Sequence, residues 1–247
     1  MSEIKYEHTK EGVHYTFADT TEQSWIHDWL VRSFPHWEPN TFKTFRQVVN
    51  PEKIAIDIGA WIGLTAVWLC KHFKHVVCVD ADKKSVASLE KNLHASNCTN
   101  FNIVNNAVYE TRTKLTFCAN NYLPHAAQND STSQLKAVAT KPDDYIVSTI
   151  TLKDIFNTYD PSNIGFVKID IEGGEEHILQ QLFTLCASSK IPFLISFHID
   201  WWNDKDVMRF AHLFKLGTVQ SDALESIADP VAYLKTNPFG SLFVSFP

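Results

Sequence analysis

Three charged side chains occur at every second position in the segment Phe166-Val167-Lys168-Ile169-Asp170-Ile171-Glu172. In a β-strand this spacing places Lys168, Asp170 and Glu172 on one face and the aliphatic residues on the other. Such charges are costly in a central strand unless they are paired, solvated at its end, or bound to a ligand. Open α/β sheets bind ligands at the carboxyl ends of their strands, so Asp170 and Glu172 are candidate catalytic residues. The structural alternative is that Lys168 neutralises Asp170 while Glu172 stabilises the next helix.

A histidine follows the next predicted strand, at residues 193–197. His198 exchanges a proton near neutral pH, and Asp200 could fix its tautomer, so His198 is a candidate general base. A purely structural histidine is the alternative. Trp201 and Trp202 offer flat apolar faces of the kind that stack on sugars, although core packing explains them equally well.

A glycine-punctuated turn, Gly59-Ala60-Trp61-Ile62-Gly63, follows an apolar run at residues 54–58 and precedes an apolar helix. Asp57 lies inside the end of that run, where a buried carboxylate needs a partner. The amide groups at the start of the helix favour negative charge. Asp80 ends the next apolar run, 21 residues after Gly59, which is the spacing at which an acid binds a ribose diol. A tight turn with a capping acid is the alternative.

Two of these segments together resemble a known family. The run from Asp57 to Gly63 is similar to the first motif of class I S-adenosylmethionine-dependent methyltransferases. The run Lys168-Ile169-Asp170-Ile171-Glu172-Gly173-Gly174-Glu175 is similar to the K-I-D-x-E-G-x-E signature of their FkbM-type branch. The resemblance covers about residues 37–198. It implies S-adenosyl-L-methionine as the cofactor and an α/β, Rossmann-like fold: a doubly wound, mostly parallel seven-stranded sheet with helices on both faces, to which two N-terminal helices are added.

The same resemblance implies where the cofactor lies. Its methionine half is expected against the glycine turn, its ribose at Asp80 and its adenine near Asn106. Glu38 belongs to a segment that could close over the cofactor, whereas Trp61 either lies beside the sulfonium or packs in the core. The implied cofactor-binding residues are Glu38, Asp57, Gly59, Ala60, Trp61, Gly63, Asp80, Ala81, Asn106 and Ala107.

The implied reaction is transfer of a methyl group to a hydroxyl of a sugar, in a glycan or a glycosylated small molecule. In the family an acid at the position of Asp170 faces the transferring methyl, and His198 is the better base because Ser196 replaces a common acid. A protein or lipid acceptor and a non-catalytic binding module remain alternatives. A nicotinamide-dependent oxidoreductase is disfavoured, because it would need a glycine at Ala60 or Trp61.

Composition limits the remaining possibilities. A chain of 247 residues, 45% of them hydrophobic, can bury one α/β core, so we expect a single structural domain. Residues 1–50 are expected to form a helical extension packed on a methyltransferase domain at 51–247. The net charge of −6 disfavours nucleic acid as a partner. No run approaches the roughly 18 apolar residues of a membrane span, and the first residues are unlike a signal peptide.

The cysteines and histidines give two further expectations. The five cysteines are scattered, which favours a reducing compartment and a cytoplasmic protein. Asp170, Glu172 and His198 could supply oxygen and nitrogen ligands to a cation. However, the eleven histidines are dispersed and no zinc-type spacing occurs, so no metal is predicted.

Hydrophobic periodicity predicts the elements that must position these residues. Strands are expected at 13–17, 54–58, 75–79, 101–108, 114–118, 164–171, 193–197 and 241–246, the last at a sheet edge. Helices are expected at 21–34, 40–49, 64–70, 82–93, 151–156, 174–186 and 204–216. The alternation of strands and helices favours a doubly wound sheet. The polar connector at 119–144 is long, and could cover the acceptor site.

Overall fold

The computed structural model describes residues 5–18, 25–118, 134–136 and 144–247 of the chain. The predicted connector at 119–144 lies outside the described residues, apart from 134–136 and residue 144, as do the first four residues of the helix predicted at 21–34. The helices are α1 (Trp25–Arg32), α2 (Pro39–Gln47), α3 (Leu64–His72), α4 (Lys83–Ala95), α5 (Leu152–Tyr159), α6 (Leu179–Ser189) and α7 (Pro230–Thr236). The strands are β1 (Tyr6–Lys10), β2 (Val13–Phe17), β3 (Asn50–Ile58), β4 (Phe73–Val79), β5 (Phe101–Val104), β6 (Ala107–Val108), β7 (Lys114–Cys118), β8 (Gln134–Lys136), β9 (Tyr145–Ile150), β10 (Ile164–Ile169), β11 (Phe193–Ser196), β12 (Thr218–Ser221) and β13 (Ser241–Ser245).

A seven-stranded sheet forms the centre of the fold, in the order β12-β13-β11-β10-β3-β4-β5. The five strands from β11 to β5 are parallel, and β13 runs antiparallel to both of its neighbours. The aliphatic runs of β3, β4 and β10 lie in the middle and are buried, as expected for strands covered on both faces. The mostly parallel seven-stranded α/β sheet is therefore confirmed.

Each face of this sheet packs against its own group of helices. One hydrophobic cluster joins the sheet to α5, α6 and α7, and the other joins it to α2, α3 and α4. A smaller sheet, in the order β6-β9-β7-β8, lies beside the main one. None of the helices in the described parts of the chain is both long and apolar enough to cross a lipid bilayer. All five cysteines are buried, and none forms a disulfide within the described residues; the compartment stays a prediction.

The single strand predicted at 101–108 is wrong, because the chain forms β5 and β6 in two different sheets. Asparagine side chains explain the break. The side-chain amide of Asn105 donates to the carbonyl of Asp80 at 2.9 Å, and that of Asn106 donates to the carbonyl of Ser148 at 3.1 Å. These bonds hold the connection across the end of β4, where regular strand pairing stops.

The helix predicted at 204–216 is also wrong, since the chain forms two 3-10 turns, Val207–Phe210 and Leu213–Leu216. Two aspartates bind nearby backbone amides instead of allowing a continuous helix. Asp204 accepts from the amide of Asp206, and Asp206 accepts from the amide of Met208, both at 3.0 Å. Such local bonds compete with helical hydrogen bonding.

Three further boundaries differ from the prediction. The strand expected at 164–171 ends at Ile169, because Glu172 and Gly173 adopt positive φ angles of 53° and 96°. The helix expected at 174–186 begins as a 3-10 turn, Gly174–His177, before α6. The last strand was expected at an edge, but β13 lies between β11 and β12, and β12 is the edge strand. Strand order depends on long-range pairing, which local periodicity does not encode.

The N-terminal residues combine the β1–β2 hairpin with α1 and α2, and they share a hydrophobic cluster with α3 and α4. Hydrogen bonds join the hairpin to the C-terminal end of α4. The amide of Thr16 donates to Ser96 Oγ, and the amide of Ala18 donates to Asn92 Oδ1, both at 3.0 Å. The division at residue 50 stays a prediction.

Candidate active site

A buried ion cluster links the ends of β3 and β10. Lys168 Nζ lies 3.5 Å from Asp57 Oδ1 and 3.5 Å from Asp170 Oδ2. Burial lowers the pKa of Lys168, but Asp57, Asp170 and Glu38 raise it more, so the amine stays charged. Asp57 also accepts a hydrogen bond from Thr65 Oγ1 at 2.6 Å. Burial raises the pKa of Asp57, although the nearby Lys168 lowers it. Asp57 is fully buried, so its place is beneath the site, where it holds β3, β10 and α3 together.

Gly59 is required by the packing of the two central strands. Its φ is +77°, and a Cβ at this position would lie 1.7 Å from the carbonyl oxygen of Asp170. The two strand ends are joined by a bond from the Asp170 amide to Ile58 O, at 2.9 Å. Gly63, with φ +96°, would bring a Cβ to 2.9 Å from Leu89 of α4. The glycines thus admit neighbouring protein groups, in addition to any ligand that lies above the turn.

Trp61 connects this turn to the N-terminal helices. Its ring lies 6.4 Å from Trp25 in a stacked arrangement and 5.5 Å edge-on from Trp29, measured between centroids. Trp61 also lines the cleft, so one side of its ring packs on α1 while another part faces the site. Trp61 thus packs on α1, and its predicted place beside the sulfonium stays a prediction.

Asp80 is held rigidly at the end of β4. Its Oδ2 accepts from the amide of Trp61 and its Oδ1 accepts from the amide of Asp82, both at 2.8 Å. Burial raises the pKa of Asp80 to about 6, although the two amides oppose the rise. Each carboxylate oxygen has a second lone pair. Asp80 can therefore accept two more hydrogen bonds from a ligand such as a diol.

A cleft encloses about 760 Å³ of empty space, part of it open to solvent, at the carboxyl ends of β3, β4 and β10. Of the predicted cofactor-binding residues, six line it: Gly59, Trp61, Asp80, Ala81, Asn106 and Ala107. The other four, Glu38, Asp57, Ala60 and Gly63, are not among the described residues that line it. Asp170 and Glu172 also line it. Sequence reasoning missed several lining residues, namely Ile58, Val79, Asp82, Ser85, Val108, Phe117, Leu135, Ile171 and Gly174.

Glu38 lies beside the ion cluster rather than on the cleft wall. It caps the start of α2 with a left-handed backbone, at φ 42°. Burial and the neighbouring Asp170 raise its pKa to about 7, although Lys168 and a hydrogen bond from Thr41 oppose the rise. Its predicted contact with the cofactor stays a prediction.

His198 is surrounded by three carboxylates. Its Nδ1 lies 3.0 Å from Glu175 Oε1, and its Nε2 lies 3.3 Å from Glu172 Oε2 and 3.7 Å from Asp170 Oδ1. Burial lowers the pKa of His198, but Glu175, Asp170 and Glu172 raise it to about 9. The structure thus brings together the predicted catalytic residues. With this pKa, His198 holds a proton at neutral pH.

Glu175 is the functional candidate that sequence reasoning missed. It is fully buried, and its Oε2 accepts from Trp202 Nε1 at 2.8 Å while its Oε1 pairs with His198. Asp200 was expected to fix the tautomer of His198, and this is wrong, because Asp200 is exposed and pairs with Lys205 at 3.5 Å. The available signal was the last acid of the K-I-D-x-E-G-x-E run, at Glu175 itself.

A second chamber adjoins the cleft. Its lining shares Leu135, Glu172 and Gly174 with the cleft. The rest of the lining mixes aromatic and polar side chains: Tyr109, Leu115, Lys136, Gly173, His177, Trp201 and Asn203. Trp201 stacks on His198 with 5.2 Å between the ring centroids. Trp202, in contrast, is buried in the core, so only the first of the two tryptophans faces this space.

Asp170, Glu172 and His198 also form a set of possible metal ligands. One ligand atom from each lies within 4.8 Å of the others, and all three side chains are partly exposed. The strand ends of β10 and β11 bring them together, since the strands are parallel neighbours.

A sheet of seven strands in this order defines a class I methyltransferase, since the cleft lies at the carboxyl ends of β3 and β4 and an acidic residue lies at the end of each of these two strands. The family model described as the methyltransferase FkbM domain matches residues 57–216, more than half of the chain. The chain therefore belongs to the FkbM methyltransferase domain family, which confirms the resemblance inferred from the two motifs. No curated protein sequence matches the chain.

Solved structures with low sequence identity are also similar to the chain. A methyltransferase FkbM from Methylobacillus flagellatus KT has a TM-score of 0.49 and 13% identity, over 90% of this chain and 60% of its own. An O-methyltransferase from Bacillus cereus, in complex with SAH, has a TM-score of 0.45 and 11% identity, over 85% of this chain and 80% of its own. The 16S rRNA N2 G1207 methyltransferase of T. thermophilus, with AdoMet and guanosine, has a TM-score of 0.46 and 12% identity, over 99% of this chain and 51% of its own. This chain thus spans less than two thirds of the length of the first and third.

Proposed function

We propose that the protein binds S-adenosyl-L-methionine and transfers its methyl group to a hydroxyl of a sugar, in a glycan or a glycosylated small molecule. The observation that carries the cofactor assignment is Asp80, which two backbone amides hold at the end of β4, on the wall of the cleft. The cleft fits the group, because an acid for the ribose, apolar residues for the adenine and carboxylates for a cationic centre line it together.

The residues that would hold the cofactor follow from this placement. Asp80 would accept hydrogen bonds from the ribose hydroxyls, and Ala107 and Val108 would pack against the adenine. Asp170 and Glu172 supply negative charge on the cleft wall, which suits a sulfonium. The cofactor supplies an electrophilic methyl group when it is bound. The family membership and the B. cereus and T. thermophilus proteins crystallised with SAH or AdoMet support this choice.

The chain's own residues then position the acceptor and remove its proton. Trp201 and Asn203 line the adjoining chamber, which shares Glu172 with the cleft, so an acceptor there would place a hydroxyl near Asp170. Asp170 accepts the hydroxyl proton, and Lys168 lies 3.5 Å from its other oxygen. An aromatic and amide lining suits a polyhydroxylated ring, and the net charge of −6 supports a non-nucleic-acid acceptor.

The test is calorimetric titration of the protein with S-adenosyl-L-methionine, and with NAD as the comparison ligand. We expect binding of the sulfonium cofactor alone. Asp80→Ala should weaken it about a hundredfold, since it removes two hydrogen bonds to a charged group. Glu90→Gln, at an exposed acid on α4, is the matched control and should bind like the unaltered protein. Equal binding by Asp80→Ala would contradict the cofactor assignment.

A second measurement separates an enzyme from a binding module of the same fold. Asp170→Asn and His198→Asn are assayed for methyl transfer to a panel of glycosides, with radiolabelled cofactor. Loss of transfer with retained cofactor binding supports the catalytic assignment. Unchanged methyl transfer in both variants would refute it. If the unaltered protein binds the cofactor but transfers no methyl group to any sugar, protein or lipid acceptor, the result would favour the binding module.

A further inference from the structure

An exposed phenylalanine lies beside the adjoining chamber. Phe239 is 52% exposed, and it is the one aromatic residue among the exposed large hydrophobic residues in the described parts of the chain. Single exposed apolar side chains are ordinary on a protein surface, so the argument depends on where Phe239 lies. Its ring centroid is 5.5 Å from that of Trp201 and 6.0 Å from that of His198. Because Trp201 lines the chamber, Phe239 extends the aromatic wall of the chamber outward from the candidate catalytic residues.

The turn that carries Phe239 is fixed to the end of β11. Residues 237–240 form a β-turn, closed by a bond from the Gly240 amide to the carbonyl of the first residue at 2.9 Å. Pro238 occupies the second position of the turn, where proline is favoured. The two amides that flank His198 in the chain donate to carbonyls of this turn at 3.1 and 2.9 Å. The position of Phe239 relative to His198 is therefore set by the backbone.

Trp201 and Phe239 together form a corner. One face of Trp201 is covered by His198, because the two rings are stacked at 12° with 5.2 Å between their centroids. The ring of Phe239 is turned by 73° from both of them, so it lies across the edges of the stacked pair. Flat apolar rings bind the C–H faces of sugars. Two sugar rings joined through one oxygen can turn against each other, so a linked pair can follow this corner, whereas a single ring covers one side of it.

The chamber itself is polar, in contrast to this corner. Asn203 lines it, and the backbone amide and the Nδ2 of Asn203 donate to Glu176 Oε1 at 2.8 and 3.2 Å. Glu176 is in turn held by Arg209 at 2.7 Å. Asn203 is thereby fixed, and its Oδ1 can accept a hydrogen bond from an acceptor hydroxyl. A ring that must present one hydroxyl for reaction needs such polar contacts, whereas Phe239 has no polar side-chain atom and suits a ring that is not modified.

We propose that Trp201 and Phe239 form an outer subsite for a second sugar ring, so that the acceptor is a chain of at least two linked sugars. This inference rests on the proposed function and narrows its acceptor. The reacting ring occupies the chamber, beside Glu172 and Asn203, and the neighbouring ring stacks on Phe239. Contacts made by the second ring, away from the reacting hydroxyl, then hold the first ring in its reactive position.

The test is calorimetry and saturation-transfer NMR on the full chain with S-adenosyl-L-homocysteine, which has no methyl group to donate. The probes are methyl glycosides of glucose, galactose, mannose and xylose, and methyl glycosides of the disaccharides cellobiose, lactose, mannobiose and xylobiose. We expect at least one disaccharide to bind about tenfold more tightly than the single sugars that compose it. Both of its rings should receive saturation from the protein.

Variants of Phe239 separate the outer subsite from the chamber. Phe239→Ala should abolish the preference for the disaccharide and leave the affinity for the single sugar unchanged, which also shows that the variant is folded. Phe239→Tyr should keep the preference, because it keeps the aromatic face. Leu216→Ala is the matched control: it removes another exposed apolar side chain, 46% exposed, that is not among the described residues lining the chamber, and it should bind both probes like the unaltered protein.

Equal affinity for single sugars and disaccharides, or the same preference in Phe239→Ala, would overturn the outer subsite. It would also be overturned if a phenyl glycoside bound more tightly than every disaccharide and did so through Phe239, because the surface would then take an apolar aglycone. The proposed function would stand in each of these cases, since transfer to a single sugar does not need the subsite. If no sugar of either length bound, the sugar acceptor and the subsite would both be refuted, and titration with S-adenosyl-L-methionine would still decide the cofactor.

Discussion

Replacing Lys168 with methionine should destabilise the protein far more than the 3.5 Å length of its ion pairs suggests. The side chain of Lys168 is 3% exposed and that of Asp57 is fully buried, so water cannot replace the lost partner of Asp57. Removing one member of a buried pair costs about 3 to 5 kcal/mol. That loss is a large part of the roughly 5 to 15 kcal/mol that holds a folded protein together.

The corresponding change in melting temperature can be measured directly. For a chain of this size each kcal/mol lowers the midpoint by about 2 to 4 °C, so Lys168→Met should melt about 6 to 20 °C lower. The assay is urea unfolding followed by tryptophan fluorescence, with a chelator present, and a thermal melt beside it. Arg112→Met is the control, because its 2.6 Å pair with Asp154 is exposed to solvent and should give no resolvable shift.

Two further measurements test the reasoning rather than the size of the effect. Asp57→Asn together with Lys168→Met removes the orphaned charge but keeps an acceptor for Thr65, so the double variant should be more stable than Lys168→Met alone. In Lys168→Met the folded pKa of Asp57 lies even further above its unfolded value. The folded state then binds more protons than the unfolded state, so the stability deficit should shrink as the pH falls from about 8 to about 5. The argument would be refuted if the free energy of unfolding of Lys168→Met lay within about 1 kcal/mol of that of the unaltered protein and the double variant were no more stable than Lys168→Met.

Three other predictions follow from the site. Cofactor affinity should fall as the pH drops below about 6. Burial raises the pKa of Asp80 to about 6, so below that pH its carboxyl takes up a proton and can accept fewer hydrogen bonds. A calorimetric affinity that does not change from pH 8 to pH 5 would contradict this. Gly59→Ala should unfold at lower urea concentration and bind the cofactor poorly, because its Cβ would meet the Asp170 carbonyl; an unchanged midpoint would show that the strands separate at little cost. Trp201→Ala should raise the acceptor KM and leave the cofactor affinity unchanged. Trp202→Ala should instead lower the melting temperature, since Trp202 is buried and donates to Glu175. Similar effects from the two variants would contradict the assignment of Trp201 to the chamber.

The parts of the fold that could be predicted from sequence are those with strong local patterns. The aliphatic runs of β3, β4 and β10 identified buried parallel strands. The helix expected at 82–93 is α4, and Asp82 caps it by accepting from the Lys84 amide at 2.9 Å. The predictions that were wrong concern elements decided by competing hydrogen bonds or by pairing with residues far along the chain. Asp204 and Asp206 broke a helix by binding amides, and the place of β13 was set by partners far along the chain.

The candidate site shows the same division. Spacing singled out Asp80, Gly59, Asp170 and Glu172, and all four line the cleft. Spacing did not show that Gly59 is required by the carbonyl of Asp170, a contact between two strands more than a hundred residues apart. It also gave Glu175 no role in the site, since the burial of this acid and its contact with His198 become visible only when β10 and β11 are paired.

The position of β13 between β11 and β12 has a consequence for how the protein is made. A ribosome releases the parallel strands first, and domains fold as their residues emerge. Because β13 is formed by Ser241–Ser245, β12 has no partner in the main sheet until those residues have been translated, and β11 meanwhile presents an open edge. Until then the chain would carry unpaired strand edges that invite pairing with another chain, and the pairing of β13 with both strands covers them.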